Sequence, residues 1–143
     1  MRQLCSLYIL FTLILLLLAP NLTKAELISE ASEIPFQVNK SDRIMIGTVS
    51  GIDIHYDYTI YTITVEEWIY NPLPIEVIKV RTEIGTNFWT EDEAEFIQNE
   101  SMIVMLKDEN PDQQLFRVAI GFPGKHPVSD REVIINELKA QGK

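Results

Sequence analysis

Tyr58–Ile69 reads YTIYTITVEEWI, and its alternation decides the fold class. Tyr61, Ile63 and Val65 fall on one face of an extended chain, while Thr62, Thr64 and Glu66 fall on the other. A period of two in a run rich in β-branched and aromatic residues marks a half-buried strand. Upstream, Arg43–Ile52 (RIMIGTVSGI) has the same composition, with Gly47 and Gly51 at positions suited to a bulge or bend. Downstream, the prolines of Asn71-Pro72-Leu73-Pro74 force a turn, because each removes a donor and fixes its own φ. Ile75–Thr82 then supplies a third strand, with Val77, Ile78 and Val80 as β-branched bulk.

The second half repeats the pattern after an interruption. Thr90-Glu91-Asp92-Glu93 has the residues of a capping box, which predicts a short helix leading into Ala94, Phe96 and Ile97. Ser101–Lys107 (SMIVMLK) and Leu115–Gly121 (LFRVAIG) read as strands four and five, joined by a polar turn over Asp108–Gln113. The tail from Ser129 fits either a helix or a short extra strand. Ser129 and Glu132 make a second capping-box pair, but Val133-Ile134-Ile135 is a β-branched run. Three strands, a short helix and two more strands is the order of a five-stranded OB-like Greek-key barrel. The expected class is all-β with short helices.

The N-terminus predicts export. Arg2 is followed by an uncharged run to Thr23, with Leu4–Ala19 almost wholly apolar and small residues at Thr23 and Ala25. Charged start, apolar centre and small-x-small site are the parts of a secretory signal peptide, with cleavage after Ala25. An uncleaved anchor is the rival, and the apolar run is short beside the roughly 20 residues a spanning helix needs. The expected organisation is a signal helix over 1–25, a flexible lead-in over 26–41, a barrel over 42–128 and a C-terminal segment over 129–143. The expected location is secreted or extracytoplasmic, at the cell surface in one version.

Cleavage has chemical consequences. Cys5 is the single cysteine of the chain and leaves with the leader. Residues 26–143 then hold no disulfide, thiolate nucleophile or cysteine metal site. Arg2 and Lys24 leave too, with no acidic residue, so the formal charge moves from −9 to −11. So acidic a domain repels phosphate backbones and argues against nucleic acid as a partner.

Ile44–Val49 (IMIGTV), Tyr61–Trp68 (YTITVEEW), Val77–Thr82 (VIKVRT), Glu95–Leu106 (EFIQNESMIVML) and Phe116–Val128 (FRVAIGFPGKHPV) resemble a family of small exported prokaryotic OB-like domains of uncharacterised function. That family in turn resembles the netrin-like module of the tissue inhibitors of metalloproteinases. The resemblance implies a barrel displayed outside the cytoplasm as a binding or accessory module. The inhibitors look to use an N-terminal, disulfide-anchored cysteine on the protease metal. No such residue follows Ala25 here, so that chemistry does not carry over.

Candidate sites follow from residue type and spacing. Asp53, His55 and Asp57 lie at i, i+2 and i+4; on an extended strand they would share a face and suit a divalent cation. They also sit where strands one and two must be joined, and a turn there would scatter them. The loop reading is preferred, with a metal-binding protein or small metal-dependent enzyme as the alternative. Glu91, Asp92, Glu93 and Glu95, and likewise Asp108, Glu109, Asn110 and Asp112, lack the spacing and turn glycine of a calcium loop. His126 has no nucleophile elbow to serve. No catalytic residue and no cofactor is expected. Trp68, Tyr70, Phe88 and Trp89 are candidates for a stacking surface, weighed against packing on the core or over a barrel mouth. Asn39 and Asn99 head N-x-S sequons. The expected function is a non-catalytic exported binding or accessory module with an unidentified protein or carbohydrate partner. A membrane role, as an anchored structural component of the envelope, is expected only if the leader is retained.

Overall fold

In a computed structural model the described residues are 30–143, and the compact unit is Ile34–Lys143. The proposed signal helix, its cleavage at Ala25 and the start of the lead-in lie outside the described residues. Five strands build the barrel: β1 (Arg43–Ile54), β2 (Thr59–Tyr70), β3 (Val77–Thr82), β4 (Ser101–Asn110) and β5 (Leu115–Val118). They pair in the order β1-β2-β3-β5-β4, and β4 pairs back onto β1 to close the ring. All pairings are antiparallel except β3 with β5. The compact unit is an all-β, OB-like closed barrel with two short helices.

β1 carries the closure. Its first half pairs with both neighbours at once, Met45 facing Trp68 on β2 and Val104 on β4. To do so it must bend, and its register with β2 slips at Ile44/Met45, Ile46/Gly47 and Val49/Gly51. Both glycines singled out by sequence lie at slips. At Gly47 a Cβ would stand 2.6 Å from the Thr64 carbonyl oxygen and 2.8 Å from Ile63 Cγ2, so the strand crosses β2 too closely for any side chain.

Two apolar clusters explain the unbroken runs of β1 and β4. Met45, Met102, Val104 and Leu106 point into the barrel with Tyr61, Ile63, Ile78, Val80, Phe96 and Phe116. Their neighbours Ile44, Ile46, Ile103 and Met105 point outward into a second cluster with Val38, Ile134 and Leu138. Those last three belong to α1 (Ile34–Lys40) and α2 (Arg131–Ala140), which cover the outer face of β1 and β4. A strand buried on both faces loses its alternation, whereas β2 keeps it because its outer face meets solvent.

Several expected elements differ. The lead-in expected to be flexible up to residue 41 holds helix α1, with Gln37 and Val38 buried. The ambiguous tail is a helix: Ile134 and Leu138 sit one turn apart on its buried face, and packing overrides the β-branched run. Arg131, at its start, grips Glu67 of β2 with two hydrogen bonds, at 3.0 and 2.6 Å. No helix forms at Thr90–Glu93. Thr90 Oγ1 accepts from Asp92 N instead, at 3.4 Å. Ala94 and Phe96 then enter the barrel core while Glu95 and Ile97 face out, an alternation only extended chain can deliver. Strand five ends at Val118, and a two-residue strand, β6 (Lys125–His126), continues along β4.

Phe116 is fully buried inside the barrel. Phe116→Ala is expected to cost about 3–5 kcal/mol in urea unfolding, a large part of the roughly 5–15 kcal/mol typical of a domain. A loss below about 1 kcal/mol would mean that the barrel interior is not packed as described.

Candidate functional site

One end of the barrel gathers most of the sequence candidates. The β1–β2 hairpin is closed by His55 N donating to Tyr58 O at 2.8 Å. The hairpin loop brings two of the three possible metal ligands together: His55 Nε2 lies 3.1 Å from Asp53 Oδ2. Asp57, at the tip, does not join them. Among the described residues no group of three His, Cys, Asp or Glu side chains is placed to hold a metal ion. The imidazole instead stacks on Tyr58, centroids 4.3 Å apart and planes 21° from parallel. The Arg81 guanidinium lies over the Tyr58 ring at 4.6 Å. This stack, Arg81 on Tyr58 and Tyr58 on His55, fixes the imidazole from one side.

The long β3–β4 connection docks on the same hairpin. Thr86 N donates to His55 O at 2.9 Å and Asn87 N to Tyr56 O at 3.1 Å. Gly85 makes the approach possible, since a Cβ there would stand 2.3 Å from the Tyr56 carbonyl oxygen. Phe88 and Trp89 follow and are 51% and 64% exposed. Neither belongs to the barrel core, which Ala94 and Phe96 of the same connection enter instead. Trp68 lies at the far end of β2, packed on the barrel core with its indole N–H 3.4 Å from Ile75 O. Tyr70 packs against the outer cluster. The aromatic candidates therefore divide, with Trp68 and Tyr70 structural and Phe88 and Trp89 displayed.

A groove of about 500 Å³ runs along the barrel beside this hairpin, lined by Asp53, His55, Ile60, Thr62, Lys79, Gln113 and Leu115. Strand pairing explains the set. Asp53 faces Ile60, Thr62 faces Lys79, and Lys79 faces Leu115 across four adjacent strands. Gln113 comes from the β4–β5 connection, a 3-10 turn whose Asn110 Oδ1 accepts from Gln113 N at 3.3 Å. The lining mixes a carboxylate, an imidazole, an ammonium, a hydroxyl and a carboxamide with two aliphatic side chains. The Lys79 ammonium makes no ion pair among the described residues. Sequence reasoning missed all but Asp53 and His55. The available signal was polar Lys79 and Thr62 at outward positions of strands whose inward neighbours are apolar.

A second hollow, about 430 Å³, opens beneath Trp89 and contains Glu91, Glu93 and Glu95. Burial pushes the Glu93 carboxyl above its ordinary value, with the nearby charges of Glu83 and Asp92 acting in the same sense. The field of Arg117 and a hydrogen bond from the Glu83 backbone oppose it. The remaining candidates are peripheral. Asp108 is held by Arg43 through two hydrogen bonds, at 2.8 and 2.9 Å. Asp42 lies below its ordinary value: partial burial opposes this, but Lys107 and the Asp108 N–H outweigh it. His126 joins Gln37 Oε1 at 2.6 Å and Asp130 Oδ2 at 3.2 Å, tying α1 to the start of α2. Asn39 and Asn99 are both exposed, but Ser41 of the first sequon is buried and donates to Gln37 O at 2.7 Å.

In comparisons with known proteins the chain matches no family model and no curated protein sequence. Among the described residues no helix is long and apolar enough to cross a membrane.

Glu93 binds its proton more tightly in the folded state than in the unfolded chain. Stability therefore falls as pH rises from the ordinary value of 4.5 through the folded one, and the full cost persists above it. Glu93→Gln is expected to raise the melting temperature at pH 7 and to lose that advantage below pH 4.5. A variant destabilised at pH 7 would contradict this account of the hollow.

Proposed function

We propose that this protein is an exported, non-catalytic binding module whose ligand is a neutral oligosaccharide lying in the groove between the β1–β2 hairpin and the β4–β5 turn. The single observation that carries the reading is the composition of that groove. It mixes donors and acceptors, Asp53, His55, Thr62, Lys79 and Gln113, with the aliphatic side chains of Ile60 and Leu115. Hydroxyls need both kinds of partner, and the C–H face of a sugar ring needs an apolar strip. In OB-folds this outer face of strands two and three, flanked by those two loops, binds oligosaccharides and oligonucleotides. The net charge of −9 turns the choice away from nucleic acid.

Export is part of the same proposal and rests on the leader-like residues 1–25. Kinship with the exported OB-like family belongs to the proposal too and rests on the resembling segments between Ile44 and Val128. The His55–Asp53 pair forms a hydrogen-bonding rim for the sugar, in which the carboxylate orients the imidazole.

The test has two parts. Mass spectrometry of the exported protein is expected to find Glu26 as the first residue, and a chain still beginning at Met1 would remove the secreted form. Titration of the ¹⁵N-labelled domain with a panel of neutral oligosaccharides is expected to shift the amides of His55, Thr62, Lys79 and Gln113 saturably. His55→Ala and Lys79→Ala should each weaken the best ligand about tenfold, as loss of a hydrogen bond to a charged or ring nitrogen does. Shifts that avoid the groove, or no saturable shift from any sugar, would overturn the proposal.

A further inference from the structure

We infer that the hollow beneath Trp89 is a separate docking site for a lysine side chain presented by an exposed basic segment of a partner protein. The inference does not depend on the oligosaccharide reading, because the two sites share no residue.

Three large apolar side chains frame the hollow, and all three stand mostly in solvent: Trp89 is 64% exposed, Ile97 68% and Phe122 62%. Between them lie the carboxylates of Glu91, Glu93 and Glu95. Among the described residues none of the three forms an ion pair with a lysine or arginine. The nearby cations are committed elsewhere. The Arg117 guanidinium is held by Glu83 at 2.9 Å. The Lys125 ammonium is held by Glu100 at 2.7 Å and bonds the Glu95 backbone oxygen at 2.8 Å, not its carboxylate. The Glu83 N–H and the more distant field of Arg117 act on Glu93, but no cation of the described residues pairs with any of the three carboxylates. The hollow therefore combines negative charge without an ion-pair partner with exposed apolar surface.

A lysine satisfies both at once. Its four-carbon stem covers apolar surface while its ammonium offers three donors to surrounding oxygens. An indole beside the carboxylates adds cation–π attraction. The compact ammonium suits three carboxylates distributed around a hollow better than a planar guanidinium, whose fork matches one carboxylate at a time. The walls are set before any ligand arrives: Phe122 N donates to Asp92 O at 2.8 Å, joining the β5–β6 turn to the acidic segment. Phe88, 51% exposed beside Trp89, extends the apolar surface past the hollow, where residues flanking the lysine would lie. The acidity of the whole chain steers a basic segment toward it.

The test uses the peptide acetyl-Ala-Lys-Ala-amide and its Nε-acetylated counterpart, each titrated into the ¹⁵N-labelled protein. The lysine peptide is expected to shift the Trp89 indole N–H and the Ile97 and Phe122 amides saturably. Acetylation of the lysine should weaken binding at least about tenfold, through loss of the charge. Glu93→Gln, which removes the charge without truncating the side chain, should weaken it about threefold or more, and Trp89→Ala likewise. Equal binding of the acetylated peptide would reduce the hollow to an apolar patch and overturn the inference. So would lysine-peptide shifts that avoid Trp89, or spectra whose Trp89 signal changes with protein concentration alone, which would mark the patch as a contact between copies of this chain.

Discussion

Everything in this molecule depends on β1 pairing with two strands through one stretch of backbone. Met45 faces Trp68 on one side and Val104 on the other, and that double ladder turns an open sheet into a ring. The geometry demands a strongly bent strand, and Gly47 meets it by letting the β1 and β2 backbones nearly touch. Closure leaves no barrel edge to protect and encloses Phe116, Ile63 and Val80 in a single core.

Closure also divides the outer surface. The outward side chains Ile44, Ile46, Ile103 and Met105 of β1 and β4 are apolar and are covered by α1 and α2, with the Arg131–Glu67 pair and the Gln37–His126–Asp130 contacts holding the helices down. Ile60 and Thr62 of β2 and Lys79 of β3 point outward where no helix covers them. The groove occupies that uncovered face, between loops that the barrel brings side by side. The β3–β4 connection, clamped to the hairpin through Gly85, Thr86 and Asn87, carries Phe88 and Trp89 out beyond it. One end of the barrel thus presents two hollows of different chemistry, one mixed and one acidic with aromatic walls.

The strand order was legible because β2 is half-buried and keeps its alternation, and because Pro72 and Pro74 punctuate the chain. The bends at Gly47 and Gly51 were legible for the same local reason. What misled was any segment whose conformation is decided at a distance. Thr90–Glu93 has capping-box residues, but the barrel core takes up Ala94 and Phe96, and their alternation draws the chain out straight. The run Val133–Ile135 leaves the tail open between helix and strand, and the outer cluster decides it, because Ile134 and Leu138 reach that cluster together only at helix spacing. The Asp53–His55–Asp57 spacing fits one face only on a straight strand, and the hairpin loop over His55–Tyr58 separates Asp57 from the other two. Lys79 was invisible as a site residue, since its role arises from pairing with Thr62 and Leu115 on strands distant in sequence.

The hairpin holds the β3–β4 connection in one conformation, so that the hollow beneath Trp89 exists before a ligand arrives. Backbone ¹⁵N relaxation of the free domain tests it most directly. Residues 85–97 are expected to show order parameters near those of the strands, about 0.85. Values below about 0.6 across Gly85–Trp89 would mean that the connection is loose on the hairpin, and that the hollow beneath Trp89 is not preformed.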